Sequence, residues 1–298
     1  MMKNIFKNKY NKRSAKKYGW DPSWFGAIKF DDELIEKIEK FQEECGLKQD
    51  GLVGPMTYRR INTSHEEEVE KTFTGSGIIC NGVEVPIGWD KIRYDFLPES
   101  CYKKPPFWKK IRKPTMVVTH WDACLSAKSC RRVLERRGIS SHFVIDNDGT
   151  IVQMADCNDI CWHAGRRKVN NVSIGIDFSN AVYMKYQKWY RRNNFGNRPI
   201  LGNVEVHGRT LRRAFLGFYP QQIEAYKALL LALHTHYDIP LECLLDEDGR
   251  LDTGVNKSAR SGKFRGVINH YNISDKKWDA AGLELDSILK EIRDFIGE

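Results

Sequence analysis

Between Thr115 and Asn180, short β-branched runs end again and again in a side chain capable of chemistry. Met116-Val117-Val118-Thr119 leads into His120. Ser140-Ser141-His142-Phe143-Val144-Ile145 is followed by Asp148-Gly149-Thr150-Ile151-Val152-Gln153. Trp162-His163-Ala164-Gly165 comes next, and Ser173-Ile174-Gly175-Ile176-Asp177-Phe178 closes the stretch. Runs of this length and residue type read as buried strands. A sheet built from them presents His and Asp rigidly at its edge. Arg265-Gly266-Val267-Ile268-Asn269-His270 repeats the pattern near the C-terminus.

The surroundings complete an α/β reading: a mixed central sheet with helices on its faces. Ile78 to Ile87 reads as a hairpin turning at Asn81-Gly82. Cys130 to Arg137 reads as a short helix stopped by Gly138. Pro220 to Tyr237 is the strongest helix, with Gln222, Ile223, Tyr226, Leu229, Leu230 and Leu233 on one stripe. Leu283 to Phe295 reads as a closing helix. Residues 183–218 are basic and aromatic and read as an insertion near the rim of a cleft, either an ordered surface loop or a surface on which sugars stack.

The N-terminal part is different in kind. Lys3, Lys7, Lys9, Lys12, Arg13, Lys16 and Lys17 precede the first acid, so much of the net charge of +9 sits there. Such a lead either contacts an anionic polymer or is a solvated terminus. From Asp31, acids crowd the start of a helix carrying Leu34, Ile38 and Phe41 at helical spacing. A Gly-rich turn, Asp50-Gly51-Leu52-Val53-Gly54-Pro55, then precedes a second helix. The expected division is a lead over 1–25, a small all-helical module over 26–61, a linker over 62–77 and an α/β domain over 78–298. Pro98 to Pro114 reads as a loop.

No apolar run reaches membrane-spanning length, and no apolar segment of signal type opens the sequence. The expectation is a protein made without a signal peptide in a cytoplasm. Its eight Cys include no C-x-x-C pair, which argues against a zinc ribbon.

Taken in order, the motifs from Ile78 onward resemble the zinc-dependent N-acetylmuramoyl-L-alanine amidases of phage-lysozyme and peptidoglycan-recognition type. The string Phe41-Gln42…Asp50-Gly51-Leu52-Val53-Gly54-Pro55-x-Thr57 is similar to the helical peptidoglycan-binding module that accompanies many wall hydrolases. The resemblance implies an endolysin-like hydrolase acting on bacterial peptidoglycan after the host membrane is permeabilised. It would cut between N-acetylmuramic acid and L-alanine. Hydrolysing an unactivated amide needs a strong nucleophile, and zinc supplies one by lowering the pKa of bound water to about 7.

By that resemblance, His120, His270 and Asp279 are the zinc ligands. The segment Lys277-Trp278-Asp279-Ala280-Ala281-Gly282 departs from the family's Lys-x-Asp-Pro-Gly, with Ala280 in the Pro position and one residue more before Gly282. Two imidazoles and a carboxylate suit zinc on chemical grounds as well. Asp177 corresponds to a family Glu acting as general base, one methylene shorter here. Phage-type relatives use a Tyr at the position of Ser141. Lys277 matches the Lys that stabilises the oxyanion, and His163 is expected to line the cleft and hydrogen-bond substrate. His142 reads as a supporting or structural residue, and His65, His207, His234 and His236 carry no motif. Cys124-x5-Cys130 resembles the disulfide loop of recognition-type amidases, although a reducing cytoplasm would leave both as thiols.

The rival reading on the same fold is a non-catalytic peptidoglycan-recognition protein, which usually lacks a zinc ligand. A nucleic-acid binder has only the basic lead in its favour and no recognisable motif, so no nucleic acid is expected as partner.

Overall fold

The computed structural model describes residues 2–58, 60, 61, 75–106 and 111–297. The chain divides into two compact units, Met1–Phe73 and Thr74–Glu298. Most of the stretch read as a linker, 62–77, lies outside the described residues, as does 107–110 within the loop expected over 98–114.

The first unit is helical. Helix α1 spans Met2–Tyr18, and α2 spans Asp32–Glu44. Helical backbone returns at 55–58 and 60–61. The Asp31 side chain caps α2 by accepting from the Leu34 N–H. Trp20, Leu34, Ile38 and Val53 form the core. The basic lead is therefore largely a helix, and its polar side chains tie it to the unit. Asn11 donates to Gly51 O and accepts from the Val53 N–H, while Ser14 donates to Val53 O. Gln42 is the hub of the module: it donates to Leu52 O and Thr57 Oγ1 and accepts from the N–H groups of Asp50 and Gly51. The Phe-Gln…Asp-Gly string thus spends its polar groups on holding its own loop.

The second unit is built on a six-stranded mixed sheet. Its strands are β1 (Ile92–Tyr94), β2 (Met116–Trp121), β3 (Phe143–Ile145), β4 (Ile151–Gln153), β5 (Ser173–Phe178) and β6 (Gly266–Asn269). The spatial order is β6-β2-β5-β3-β4-β1, and only the β3–β4 pair is antiparallel. Three helices cover the sheet: α3 (Ala127–Arg137), α4 (Pro220–Tyr237) and α5 (Leu285–Ile296). The expected hairpin forms between Gly77–Cys80 and Val83–Pro86, with Asn81 and Gly82 both at positive φ in the turn.

Strand alternation decides which residues face which layer. Val117, Ile174, Ile176, Phe178, Phe143 and Ile145 share the main core with Tyr226, Leu229, Leu233 and Ile288 of α4 and α5. Their neighbours along the strands, including His120, His142, Gly175 and Asp177, turn to the opposite face. There α3 packs Ala127 and Cys130 on Val144 and Val152.

Residues 183–218 hold more structure than a surface loop. They contain a short helix, Gln187–Arg192, and two small antiparallel pairs, Ile200–Leu201 with Phe215–Leu216 and Val204–Val206 with Arg209–Leu211. Tyr190 and Arg198 within them are buried. The Arg198 guanidinium lies 4.4 Å from the ring centres of both Tyr190 and Tyr219. It also donates to Gly217 O, Gln222 Oε1, Asn147 Oδ1 and Ser179 O.

Candidate metal and catalytic centre

Register brings the functional side chains together. In the parallel pairing of β2 with β5, His120 lies opposite Asp177. In the pairing of β6 with β2, Asn269 lies opposite Thr119, so the next residue, His270, arrives beside His120. All three stand at the carboxyl ends of parallel strands, where open α/β sheets gather their sites. Asp279 comes from the segment before α5, and its backbone O accepts from the Tyr271 N–H, which ties that segment to the His270 turn.

The three donor atoms form a tight triangle. His120 Nδ1 is 3.0 Å from His270 Nδ1 and 3.0 Å from Asp279 Oδ2, and His270 Nδ1 is 2.8 Å from the same oxygen. All three residues are buried. Two imidazoles hold the Asp279 carboxyl far below the usual carboxylate range despite burial, while burial and the neighbouring His120 lower the His270 pKa. The triangle therefore brings two imidazoles and a strongly acidic carboxyl together, residue types that ligate a metal once their ligating atoms are deprotonated.

The outer nitrogen of His120 fixes its tautomer. His120 Nε2 lies 3.1 Å from His163 Nδ1, and His163 Nε2 lies 3.2 Å from Ser173 Oγ. Ser173 Oγ donates its own proton to Val169 O, so it accepts from His163 Nε2–H. His163 Nδ1 then accepts from His120 Nε2–H, which leaves the His120 Nδ1 lone pair directed at the triangle. This network is the kind of outer support that orients a metal-binding imidazole. Burial and the nearby His120, His142 and His270 push the His163 pKa well below its ordinary value, which keeps it neutral. Gly175 makes the arrangement possible: a Cβ there would sit 2.6 Å from His163 Cγ.

Beneath this lies His142, fully buried. It accepts from the Gly175 N–H at Nδ1 and so donates from Nε2 to Asp159 O. Burial, together with the Arg112 guanidinium 3.0 Å away, pushes its pKa well below the ordinary value and keeps it neutral. His142 supports the site and does not enter it.

Asp177 is buried. Burial raises its pKa, while His120 and Lys277 pull the other way. Lys277 is exposed on the same rim. The six residues singled out in the sequence, His120, His163, Asp177, His270, Lys277 and Asp279, all line one cavity of about 370 Å³. His163 differs from expectation in one respect: both its ring nitrogens are engaged by protein groups.

A second donor group, Asp122, Cys124 and Cys130, lies along the same cavity. The Asp122 carboxylate is committed to the N–H groups of Cys124 and Asn180 and to Ser179 Oγ. The two cysteines are free thiols whose sulfurs lie within 4.8 Å of each other.

Sequence comparison bears directly on this centre. Residues 110–281, more than half of the chain, match the profile of N-acetylmuramoyl-L-alanine amidase, and the match includes all six residues. The chain belongs to the N-acetylmuramoyl-L-alanine amidase family. A protein of Rickettsia conorii provisionally named as such an amidase is 36% identical over 75 residues, which is 23% of this chain and 28% of that protein. The chain thus spans little more than a quarter of the length of that curated relative. Among solved structures, the endolysin amidase LysCS of Clostridium intestinale is similar over 75% of this chain and 99% of its own, at 18% identity and a TM-score of 0.39. A selenomethionine derivative of AmpD is similar over 70% of this chain and 99% of its own, with the same identity and TM-score. Among the described residues, no helix is long and apolar enough to cross a membrane.

His207, which carries no motif in the sequence, is bonded to the rim of the site. It stands at positive φ before Gly208 in the turn of the Val204–Leu211 hairpin, and its Nε2–H donates to Lys277 O over 2.8 Å. The available signal was an X-Gly pair flanked by two alternating triplets, Val-Glu-Val and Arg-Thr-Leu, the pattern of a two-residue hairpin turn.

Proposed function

We propose that this chain is a zinc-dependent peptidoglycan amidase that hydrolyses the bond between N-acetylmuramic acid and L-alanine. The observation that carries this reading is the buried triangle of His120 Nδ1, His270 Nδ1 and Asp279 Oδ2 within the family domain. Its donor set, two imidazoles and one carboxylate, fits a catalytic zinc, which takes three protein ligands and keeps one position open. When bound there, zinc would supply a water acidic enough to react at neutral pH and would polarise the scissile carbonyl.

The remaining chemistry falls to the chain. Asp177, in register with His120, takes a proton from the attacking water and passes it to the leaving amine of L-alanine. Burial raises its pKa, which makes the carboxylate a stronger base for that proton. Lys277 lends its positive charge to the carbonyl oxygen as charge develops there. His163 holds His120 in the required tautomer and walls the cleft. The N-terminal helical unit is proposed as the wall-binding module, which raises the local concentration of the enzyme on peptidoglycan without altering the chemistry.

Elemental analysis of the purified chain tests the metal assignment. One zinc per chain is expected, with His120→Ala and His270→Ala each losing metal and activity together. Full activity in a thoroughly chelated sample would contradict it. Removal of residues 1–73 should weaken co-sedimentation with insoluble walls; unchanged sedimentation would remove the module's role.

A further inference from the structure

A second, larger cleft of about 880 Å³ opens beside the catalytic cavity. The two share Lys276, Lys277 and Trp278 as a common wall. The far side of the second cleft comes from the 183–218 segment. Its charged lining is one-sided: Arg209, Arg212, Arg213, Lys276 and Lys277 face a single acid, Asp275. All five cations are exposed, and none of them forms an ion pair with a described residue. Tyr183, Met184, Phe215 and Trp278 supply an apolar floor.

The cleft is fixed relative to the reacting centre. The His207 N–H donates to Thr253 O, and its ring donates to Lys277 O, so the Val204–Leu211 hairpin is bonded to the segment bearing the proposed oxyanion residue. The Trp278 ring packs edge-on against both Trp121 and Phe215, with ring centres 4.9 and 5.7 Å apart. A substrate held here is therefore held in a defined relation to His120, His270 and Asp279.

We infer that this cleft is the binding site for the peptide side of the substrate and selects stems whose carboxylates are free. The inference rests on the amidase reading of the adjoining cavity. Unpaired cations over an apolar floor suit an anionic ligand with short aliphatic side chains. In a peptidoglycan strand the free carboxylates lie on the stem peptide, because the lactyl carboxyl of the sugar is consumed in the scissile amide. A glycan offers hydroxyl and acetamido groups and no charge for these five cations to meet. Arg212 and Arg213 are exposed, line this cleft and are not among the residues lining the catalytic cavity. Removing them should change recognition and leave the chemical step alone.

The test uses the full chain and the double variant Arg212→Ala/Arg213→Ala. The peptide L-Ala-D-γ-Glu-L-Lys and its bis-amide are titrated calorimetrically into each, and N-acetylmuramoyl-L-Ala-D-γ-Glu-L-Lys is followed as substrate. The native chain should bind the free acid about five- to tenfold more tightly than the bis-amide, the sum expected of two partly exposed charge contacts. That preference should vanish in the variant and in about 0.5 M salt, which screens exposed charges. KM for the muramoyl peptide should rise by the same factor while kcat holds. Equal binding of acid and amide by the native chain, binding of neither, or an undiminished preference in the variant would overturn the inference. If the preference holds but the muramoyl peptide is never cleaved, the subsite stands and the amidase reading fails.

Discussion

His120 and His163 are joined edge to edge, Nε2 to Nδ1 at 3.1 Å, and that contact sets which nitrogen of His120 is free to ligate. His163→Ala should weaken zinc binding about 10–100-fold without abolishing it, as loss of an outer hydrogen-bond partner does. His163→Gln, which can still accept from His120 Nε2–H, should recover part of the loss. Competition with a chelator of known affinity reads the effect directly, and an unchanged zinc affinity in His163→Ala would remove the orienting role.

Asp177→Asn should retain zinc and lose turnover, because an amide cannot take the water proton. Burial lifts the Asp177 pKa, so the acidic limb of the native rate profile should lie above the ordinary carboxylate range. The variant should lack that limb. Lys277→Ala should also keep zinc, with kcat down about 10²–10³ and the acidic limb intact. Near-normal turnover in Lys277→Ala would mean that the oxyanion needs no cation from the chain.

Much of this site could be read from the sequence because parallel strands ending in His or Asp announce themselves by residue type and length. The Asn81-Gly82 hairpin and the α4 stripe were legible for the same local reason. Sheet order was not legible. That His120, Asp177 and His270 become neighbours depends on a register that no single strand encodes. The double engagement of His163 likewise depends on Ser173 and on the missing Cβ of Gly175, both remote in sequence. Helix α1 was opaque because eleven of its seventeen residues are polar or basic and the others form no continuous stripe. Asn11 and Ser14 anchor it through hydrogen bonds, which leave no apolar period to detect. In 183–218 the strands are two or three residues long, and a single buried cation, Arg198, organises them.

Arg198→Met should therefore be costly although it adds apolar surface. It would strand the carbonyls of Gly217 and Ser179 and the side chains of Asn147 and Gln222, and it would end the stacking on Tyr190 and Tyr219. A loss on the order of 3 kcal/mol is expected from the buried acceptors alone. Chemical denaturation should register it; a change under about 0.5 kcal/mol would mean that water replaces the guanidinium.

Stability should also fall on mild acidification. In the folded chain His142, His163 and His270 all titrate below the ordinary value of 6.5. The unfolded chain then binds more protons, so their contribution is present above about 6.5 and is lost as pH falls towards the folded values. Asp122 and Asp177, raised by burial, and Asp146 and Asp159, raised to about 6 by burial, act in the opposite sense and offset part of this loss. Chelator-treated protein should accordingly melt at a lower temperature at about pH 6 than at about pH 7.5. His142→Gln should reduce that slope by up to about one proton. An unchanged slope in His142→Gln would show that the fold does not hold this ring neutral.

The most direct test of the central claim is mass spectrometry of purified peptidoglycan after digestion by the full chain. Free stem peptides with a new L-alanine N-terminus and uncut glycan strands are expected, with no such products from His120→Ala. New reducing sugar ends without free stems, or undiminished stem release by His120→Ala, would contradict it.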